Sequence, residues 1–183
     1  MAKGMNLCAL VLCILFVFSL LLLYFMPSSL LLSFCITLGV FSYHLVMRLL
    51  VGLTINAIFH NRFNYNAYWF REKKGEKRIY NALRVRKWAS KIPTYSPDTF
   101  CCKKHSWDEI AMATCQAEIV HEIIILLSLL PMLLIIPFGS AVVFIITSIL
   151  SALFDSAFVI AQRYNRPKLI KHIERRKRLN LNK

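Results

Sequence analysis

Two groups of polar side chains stand where apolar stretches of the sequence begin or end. Glu118 and His121 open the third apolar stretch, and the segment 162–167, QRYNRP, follows the last one. Glu118 and His121 are three residues apart, so they share one face of a helix. A carboxylate that accepts a hydrogen bond from one imidazole nitrogen leaves the other nitrogen basic. The pair therefore fits a general base that activates a hydroxyl.

The spacing of Glu118 and His121 also fits two other kinds of site. Di-iron helical bundles use the same Glu-x-x-His pattern, with two copies and further carboxylates. This chain has one copy, with Glu122, Asp155 and His44 as possible extra ligands. The third possibility is a polar contact between helices at the membrane edge. Spacing alone leaves the three open.

Arg163, Asn165 and Arg166 cluster just after the last apolar stretch. Two guanidinium groups can hold a phosphate or a carboxylate through paired hydrogen bonds, so these residues are predicted to bind substrate. The alternative is ordinary cationic anchoring at the membrane surface. Asp155 lies near the end of the same stretch, where a buried acid needs a partner such as Arg48 or Arg163.

A second polar row follows the second apolar stretch at four-residue intervals. It contains His44, Arg48, Gly52, Asn56 and His60. Neighbours at this spacing lie on one side of a helix. A histidine and an arginine near a bilayer should face protein or water rather than lipid, so His44 and Arg48 are further candidates for binding substrate.

The elements that must position these residues are predicted to be membrane helices. Apolar residues make up 57% of the 183 residues, and the charged residues avoid four stretches long enough to span a bilayer. The predicted fold is all-α, with four transmembrane helices in two hairpins, one interfacial amphipathic segment and a single membrane domain over residues 1–183. The four spans cover about residues 7–25, 30–50, 119–136 and 141–161.

Basic residues are concentrated in the two long polar segments. Residues 60–105 contain twelve Lys/Arg against three acids, and residues 162–183 contain nine against one. The positive-inside rule therefore places both segments and both termini in the cytoplasm of a cell-membrane protein. The net charge of +14 would also suit nucleic acid, but basic blocks that flank apolar stretches favour membrane lipids or an anionic substrate, and no nucleic-acid partner is predicted.

Local signals refine this scheme. Residues 76–91 are predicted to form a helix with Ile79 and Leu83 on its apolar stripe, and Ser106 is predicted to cap the helix that enters the third span. Pro167 is predicted to end the fourth span or to start a basic tail helix over residues 168–179. The sequence predicts no cofactor and no resident metal, since no phosphate-binding loop and no zinc-like cysteine spacing is present.

The block AEIVH at 117–121, followed about forty residues later by QRYNRPKL at 162–169, resembles the signature of the glycosyl-4,4'-diaponeurosporenoate acyltransferase family. The central part is similar as well, and the resemblance extends from about Trp69 to Arg178. The central residues that carry it are Glu72, Gly75, Tyr80, Val85, Arg86, Lys87, Trp88 and Pro93. The chain departs from the family pattern at Ala113, Gln116, Glu122 and Asp155, which leaves the acceptor open.

The resemblance implies a small membrane enzyme of carotenoid biosynthesis. The family esterifies the glucose of a glycosylated C30 carotenoid with a fatty acyl group, the last step toward staphyloxanthin. The implied partners are that acceptor or a related glycolipid, an acyl donor on coenzyme A or a carrier protein, and membrane lipids. Our own assignment of roles makes His121 the base and Glu118 its orienting carboxylate. A metal-dependent oxidase or hydrolase and a non-catalytic lipid-binding or assembly subunit stay as alternatives.

Overall fold

The computed structural model describes residues 2–92 and 97–181, and these residues form helices and connecting turns without a β-strand. Four helices are long and apolar enough to cross a membrane, which confirms the predicted fold class. The α-helices are α1 (Ala2–Phe25), α2 (Ser29–Phe59), α3 (Glu76–Ala82), α4 (Val85–Trp88), α5 (Trp107–Ser128), α6 (Ile135–Phe138) and α7 (Ala141–Leu181). Short 3₁₀ segments occupy Tyr68–Phe70, Ala89–Lys91, Pro97–Phe100 and Leu130–Leu134.

The chain divides into two compact units. The first unit comprises residues 1–53 and 123–155, and the second comprises residues 54–122 and 156–183. The first unit therefore holds most of the apolar sequence, and the second holds most of the basic sequence. The single membrane domain stays a prediction.

Helix α2 is one continuous helix that includes His44, Arg48 and Asn56. Its 31 residues give a length of about 46 Å, which exceeds the roughly 30 Å hydrocarbon core of a bilayer. The helix ends before His60 and Asn61, whose φ angles of 47° and 57° are left-handed. His60 is therefore not part of the polar row that the sequence suggested.

Helix α5 begins as predicted and ends earlier than predicted. The Ser106 hydroxyl accepts a hydrogen bond from the Glu109 amide at 3.2 Å, and the Glu109 carboxylate accepts one from the Ser106 amide at 2.7 Å. This reciprocal pair is a capping box. Pro131 has no amide hydrogen to continue the helical ladder, so α5 stops at Ser128 and a 3₁₀ segment with α6 completes the stretch. The span predicted over residues 119–136 lies within the membrane-length stretch Trp107–Phe138, although its first α-helix ends at Ser128.

Helix α7 continues through Pro167 for 41 residues, so the prediction of a helix boundary at that proline is wrong. A proline in a helix interior costs about 3 kcal/mol because it removes one hydrogen bond and crowds the preceding turn. Tertiary packing offsets this cost, since Ala161, Arg166 and Ile173 on both sides of the proline are buried. The basic tail is thus the last part of the helix that begins at Ala141.

The segment 76–91 is divided into two short helices rather than forming the single helix predicted. Arg84 adopts φ 49°, which ends α3 and reorients the chain before α4. The buried residues of this segment are Tyr80, Val85 and Ala89. Ile79 and Leu83, predicted to form the apolar stripe of an interfacial segment, are 53% and 47% exposed, and the interfacial position stays a prediction. Pro93, the last residue of the central resemblance, lies outside the described residues.

Candidate active site

Glu118 is the centre of an ion network in the second unit. Its side chain is fully buried on α5, and its two carboxylate oxygens lie 2.5 Å from Arg163 Nη1 and 2.5 Å from Arg166 Nη2. Arg163 and Arg166 are three residues apart on α7, so both guanidinium groups leave the same side of that helix. The two sequence blocks singled out above therefore meet in space. Spacing could not establish this meeting.

Arg166 is held entirely by the protein. Its Nε donates to the Thr114 hydroxyl at 3.1 Å, and Nη2 donates to the Thr114 carbonyl at 3.0 Å. Its Nη1 donates to the Phe70 carbonyl at 3.3 Å, and the guanidinium carbon lies 4.9 Å from the centre of the Phe70 ring. The residue has no exposed surface. These contacts join α5 to α7 within the second unit, and the role of Arg166 in binding substrate stays a prediction.

Arg163 bridges two carboxylates. Its Nε and Nη2 donate to one oxygen of Glu76 at 3.0 and 2.7 Å, while Nη1 donates to Glu118. Nη1 and Nη2 also donate to the carbonyls of Trp69 and Arg71, both at 3.2 Å. Two arginines and two glutamates thus balance in charge. In this conformation each nitrogen of Arg163 already donates to the protein.

Glu76 and Tyr80 extend the network, and they were not predicted as a pair from the sequence. The Tyr80 hydroxyl donates to Glu76 at 2.7 Å. Burial by itself would raise the pKa of Glu76, but the hydrogen bonds from Tyr80 and Arg163 outweigh it and hold that pKa below its ordinary value. Burial, together with the hydrogen bond to Glu76, raises the pKa of Tyr80. The available signal was their four-residue spacing on a helix that begins at Glu76.

His121 lies one helical turn beyond Glu118 on α5. Its half-buried ring stacks on Phe158 with 4.5 Å between the ring centres and 17° between the planes. Stacking fixes the plane of the imidazole, which a positioned base requires. Within the described part of the chain, the carboxylate of Glu118 has guanidinium partners of its own. Its role in orienting His121 therefore stays a prediction.

Asn165 and Glu122 lie next to residues of the ion network. Asn165 is half-buried on α7 between Tyr164 and Arg166, and its role in binding substrate stays a prediction. Glu122 accepts a hydrogen bond from the Trp69 indole at 3.1 Å. The carbonyl of Trp69 also accepts a hydrogen bond from Arg163, so Trp69 links Glu122 to the ion network.

Comparison with known protein families gives a match over most of the second half of the molecule's sequence and part of its centre. The family model described as glycosyl-4,4'-diaponeurosporenoate acyltransferase matches residues 66–175, more than half of the chain. The chain belongs to this family. It is thereby placed among acyltransferases of carotenoid biosynthesis. No curated protein and no solved structure matches the chain.

The family match includes every member of the ion network and also Asp155, whereas His44 and Arg48 lie before it. Asp155 pairs with Arg48 at 2.5 Å in the first unit, which confirms one of the two partners predicted for it. Arg48 also donates to the Ser151 hydroxyl at 2.7 Å and to the His44 carbonyl at 2.9 Å. Substrate binding by His44, Arg48 and Asp155 stays a prediction.

His44 is a buried residue of the first unit, and the hydrogen bonding of its ring is unusual. In the part of the chain that the structure describes, neither nitrogen of its imidazole has a hydrogen-bond partner. The same holds there for Nε of Arg48 and for the Ser148 hydroxyl. A buried polar atom without a partner costs about 1–3 kcal/mol. In the described part of the Glu118 network, only Glu118 Oε2 lacks a hydrogen bond, and it lies 2.5 Å from Arg166 Nη2. The polar group around His44 is therefore less completely satisfied than that network.

A metal site would need several ligands in one place. Across residues 2–92 and 97–181, no group of three or more His, Cys, Asp or Glu side chains comes together in that way. Glu118, the carboxylate of the Glu-x-x-His pattern, is engaged by two cations instead. The ligand set considered for a metal enzyme is therefore not assembled in the described residues.

Proposed function

We propose that this protein is a membrane O-acyltransferase that esterifies a sugar hydroxyl of a glycosylated C30 carotenoid, or of a related glycolipid, with a fatty acyl group. The observation that carries the proposal is the family match over residues 66–175, which contains both AEIVH and QRYNRP. Four helices able to cross a membrane suit substrates with long apolar tails. The product would be a carotenoid ester of the staphyloxanthin type in the cell membrane.

The proposed chemistry uses His121 as the base. The imidazole takes the proton of the sugar hydroxyl while the hydroxyl oxygen attacks the carbonyl carbon of an acyl thioester on coenzyme A or a carrier protein. The resulting oxyanion collapses, the carbon–sulfur bond breaks, and the imidazolium returns its proton to the departing thiolate. A positioned base of this kind contributes about 10²–10⁴ in rate.

The ion network supports the base by holding in place the helix that carries His121. Glu118 and His121 share α5, and Glu118 ties that helix to α7 through two arginines. We assign Arg166 a positioning role because it is fully buried. The side chain of Arg163 keeps 12% exposure and Asn165 is half-buried, so these two are the proposed contacts for the oxyanion or for the phosphates of the donor. Contact with Arg163 requires that the substrate displace one of its present acceptors.

The first unit is proposed to hold the apolar tails of the substrates. His44, Arg48 and Asp155 are proposed there as contacts for a polar group within the membrane, because intramembrane ionisable residues usually mark functional positions. The basic segments 60–105 and 162–183 are proposed to lie on the cytoplasmic side, as the charge distribution indicates.

The proposal is tested by mass spectrometry of lipid extracts from cells that make glycosyl-diaponeurosporenoate, with and without this chain. The expected result is a new species, heavier than the glycoside by one fatty acyl group, only when the chain is present. His121→Ala, which keeps every residue of the ion network, serves as the control and is expected to give little or none of this species. An unchanged glycoside, with the protein present in the membrane at a normal amount, would contradict the proposal.

A second candidate is a non-catalytic lipid-binding or assembly subunit. It is favoured by the complete internal pairing of Arg163 and Arg166, which is typical of a structural network. Under this reading, replacing His121 changes neither the product nor its amount, whereas replacing Glu118 lowers the amount of folded protein. Measuring ester and protein together for both variants separates the two candidates.

A further inference from the structure

The outer surface of residues 77–87 differs from the rest of the polar segment. Only Tyr80 and Val85 are buried in this range, and the other side chains are exposed. Ile79 and Leu83 are four residues apart, so they lie on the same side of the helical turn and point away from the protein together. Tyr80 and Val85 are thus buried in the protein, whereas Ile79 and Leu83 lie on its outer surface.

Five cations border the exposed apolar pair. The range 77–87 contains no acidic residue, and its basic residues are all exposed: Lys77, Arg78, Arg84, Arg86 and Lys87. Aliphatic side chains bordered by cations suit the head-group layer of an anionic membrane, where the apolar groups reach the acyl chains and the cations meet phosphate. Single exposed apolar residues are common on protein surfaces, but a paired set inside a wholly basic stretch is not explained in that way.

The connections of this segment favour lipid over a soluble partner. Helix α2 ends at Phe59 and α5 begins at Trp107, and both helices are long and apolar enough to cross a membrane. Leu83 lies midway between these two residues in the sequence. A segment that is tethered at both ends to membrane helices meets the bilayer surface at a high effective concentration, whereas an acidic protein would have to be recruited from solution.

We propose that residues 77–87 form a docking surface for anionic phospholipid head groups, with Ile79 and Leu83 inserted between the lipids. The left-handed φ of Arg84 ends α3 directly after Leu83, so three of the cations follow the apolar pair at once. Such docking would hold α3, and with it Glu76, at a fixed depth. The proposal does not depend on the acyl-transfer reaction.

The test uses the full chain with the photoreactive residue p-benzoylphenylalanine in place of Leu83. The matched control carries it in place of Asn81, which is exposed on nearly the opposite side of the same turn. Both proteins are placed in nanodiscs of phosphatidylcholine alone or mixed with phosphatidylglycerol, irradiated, and analysed for lipid adducts by mass spectrometry. Neither position is buried, so neither substitution should prevent folding.

We expect Leu83-position adducts to exceed those at Asn81 by about threefold or more, and to contain more phosphatidylglycerol than its share of the bilayer. Replacing Arg84, Arg86 and Lys87 together by glutamine should return the adducts to the bilayer composition. Equal labelling at the two positions would overturn the proposal. So would adducts at the Leu83 position that match the bilayer composition while Arg84, Arg86 and Lys87 are still present. Irradiation in cells that labels an acidic carrier protein instead of lipid would overturn it as well.

Discussion

The two compact units each contain a fully buried acid paired with arginine, and the hydrogen bonds of the two polar groups are satisfied to different degrees. In the second unit, Glu118 lies between Arg163 and Arg166, whose remaining nitrogens donate to Glu76, a threonine and backbone carbonyls. In the first unit, Arg48 and Asp155 pair beside His44, whose ring nitrogens lack hydrogen bonds in the described residues. The difference separates a network built for rigidity from a polar group that is open to further partners.

The difference matters for how each group would act. A buried ion pair gains little net stability, because desolvation opposes the attraction, but removing one partner is costly since it leaves a buried charge. In the second unit, two acids, Glu76 and Glu118, balance the charges of two arginines. The first unit keeps polar atoms that a water molecule or a substrate could satisfy. Variants of both groups test this difference.

The largest effect is expected for Glu118→Gln. The variant leaves two guanidinium groups without their shared carboxylate, and we expect a loss of about 3–5 kcal/mol in the free energy of unfolding. Thermal unfolding of the purified protein in detergent measures the change. Glu174→Gln, the same replacement at an exposed position of α7, is the control and should stay close to the unmodified protein. Equal melting temperatures for the two variants would show that the network adds no stability.

A smaller loss is expected for Tyr80→Phe. The variant removes a hydrogen bond to the Glu76 carboxylate, and a bond to a charged group contributes about 1.5–3 kcal/mol. Tyr164→Phe is a matched control, since the ring of Tyr164 packs edge-on against Tyr80 with 5.5 Å between centres. Thermal unfolding should rank Tyr80→Phe well below Tyr164→Phe. The reverse order would remove Tyr80 from the network.

A direct contrast between the units comes from Thr114→Val and His44→Leu. The first variant leaves Nε of Arg166 without its acceptor, so we expect a loss of about 1–2 kcal/mol. The second replaces a buried ring whose nitrogens have no hydrogen-bond partner in the described residues, so stability should be unchanged or higher. Melting temperatures of both variants in one detergent measure the contrast. A marked loss for His44→Leu would show that water or another group satisfies this histidine.

The smallest effect is a dependence on acid. The pKa of Glu76 lies below its ordinary value of 4.5 in the folded protein, so the ionised carboxylate stabilises the fold. This contribution is complete above pH 4.5 and is lost as the pH falls through the lower folded value. The melting temperature of the unmodified protein should therefore exceed that of Glu76→Gln by a constant amount near neutral pH. Below about pH 4 the two curves should approach each other. Parallel curves down to pH 3 would contradict the assignment.

Much of the fold could be predicted from the sequence because it depends on local patterns. Long apolar stretches identify the four spans, and Ser106 with Glu109 marks the start of α5. Other local expectations failed where tertiary contacts prevailed. Helix α7 passes through Pro167 because buried residues on both sides of the proline compensate for the lost hydrogen bond. Conversely, Pro131 ends α5 inside an apolar stretch in which hydrophobicity gave no sign of a boundary.

Four residues of the candidate site were singled out from the sequence, but their connections were not predicted. Glu118, His121, Arg163 and Arg166 were found because ionisable residues at the ends of apolar stretches are rare. The sequence could not show that Glu118 pairs with both arginines, since these contacts join residues 45 or more positions apart. Glu76 was missed for the same reason, because its partner Arg163 is 87 positions away.

The central claim is that His121 supplies the base for acyl transfer beside the Glu118 network. The most direct measurement is the amount of acylated glycoside in cells that make equal amounts of the unmodified chain, His121→Ala or His60→Ala, where His60 is an exposed histidine outside the network. We predict a loss of about 10²–10⁴ in the rate of ester formation for His121→Ala and a normal rate for His60→Ala. A normal rate for His121→Ala at equal expression would contradict the account.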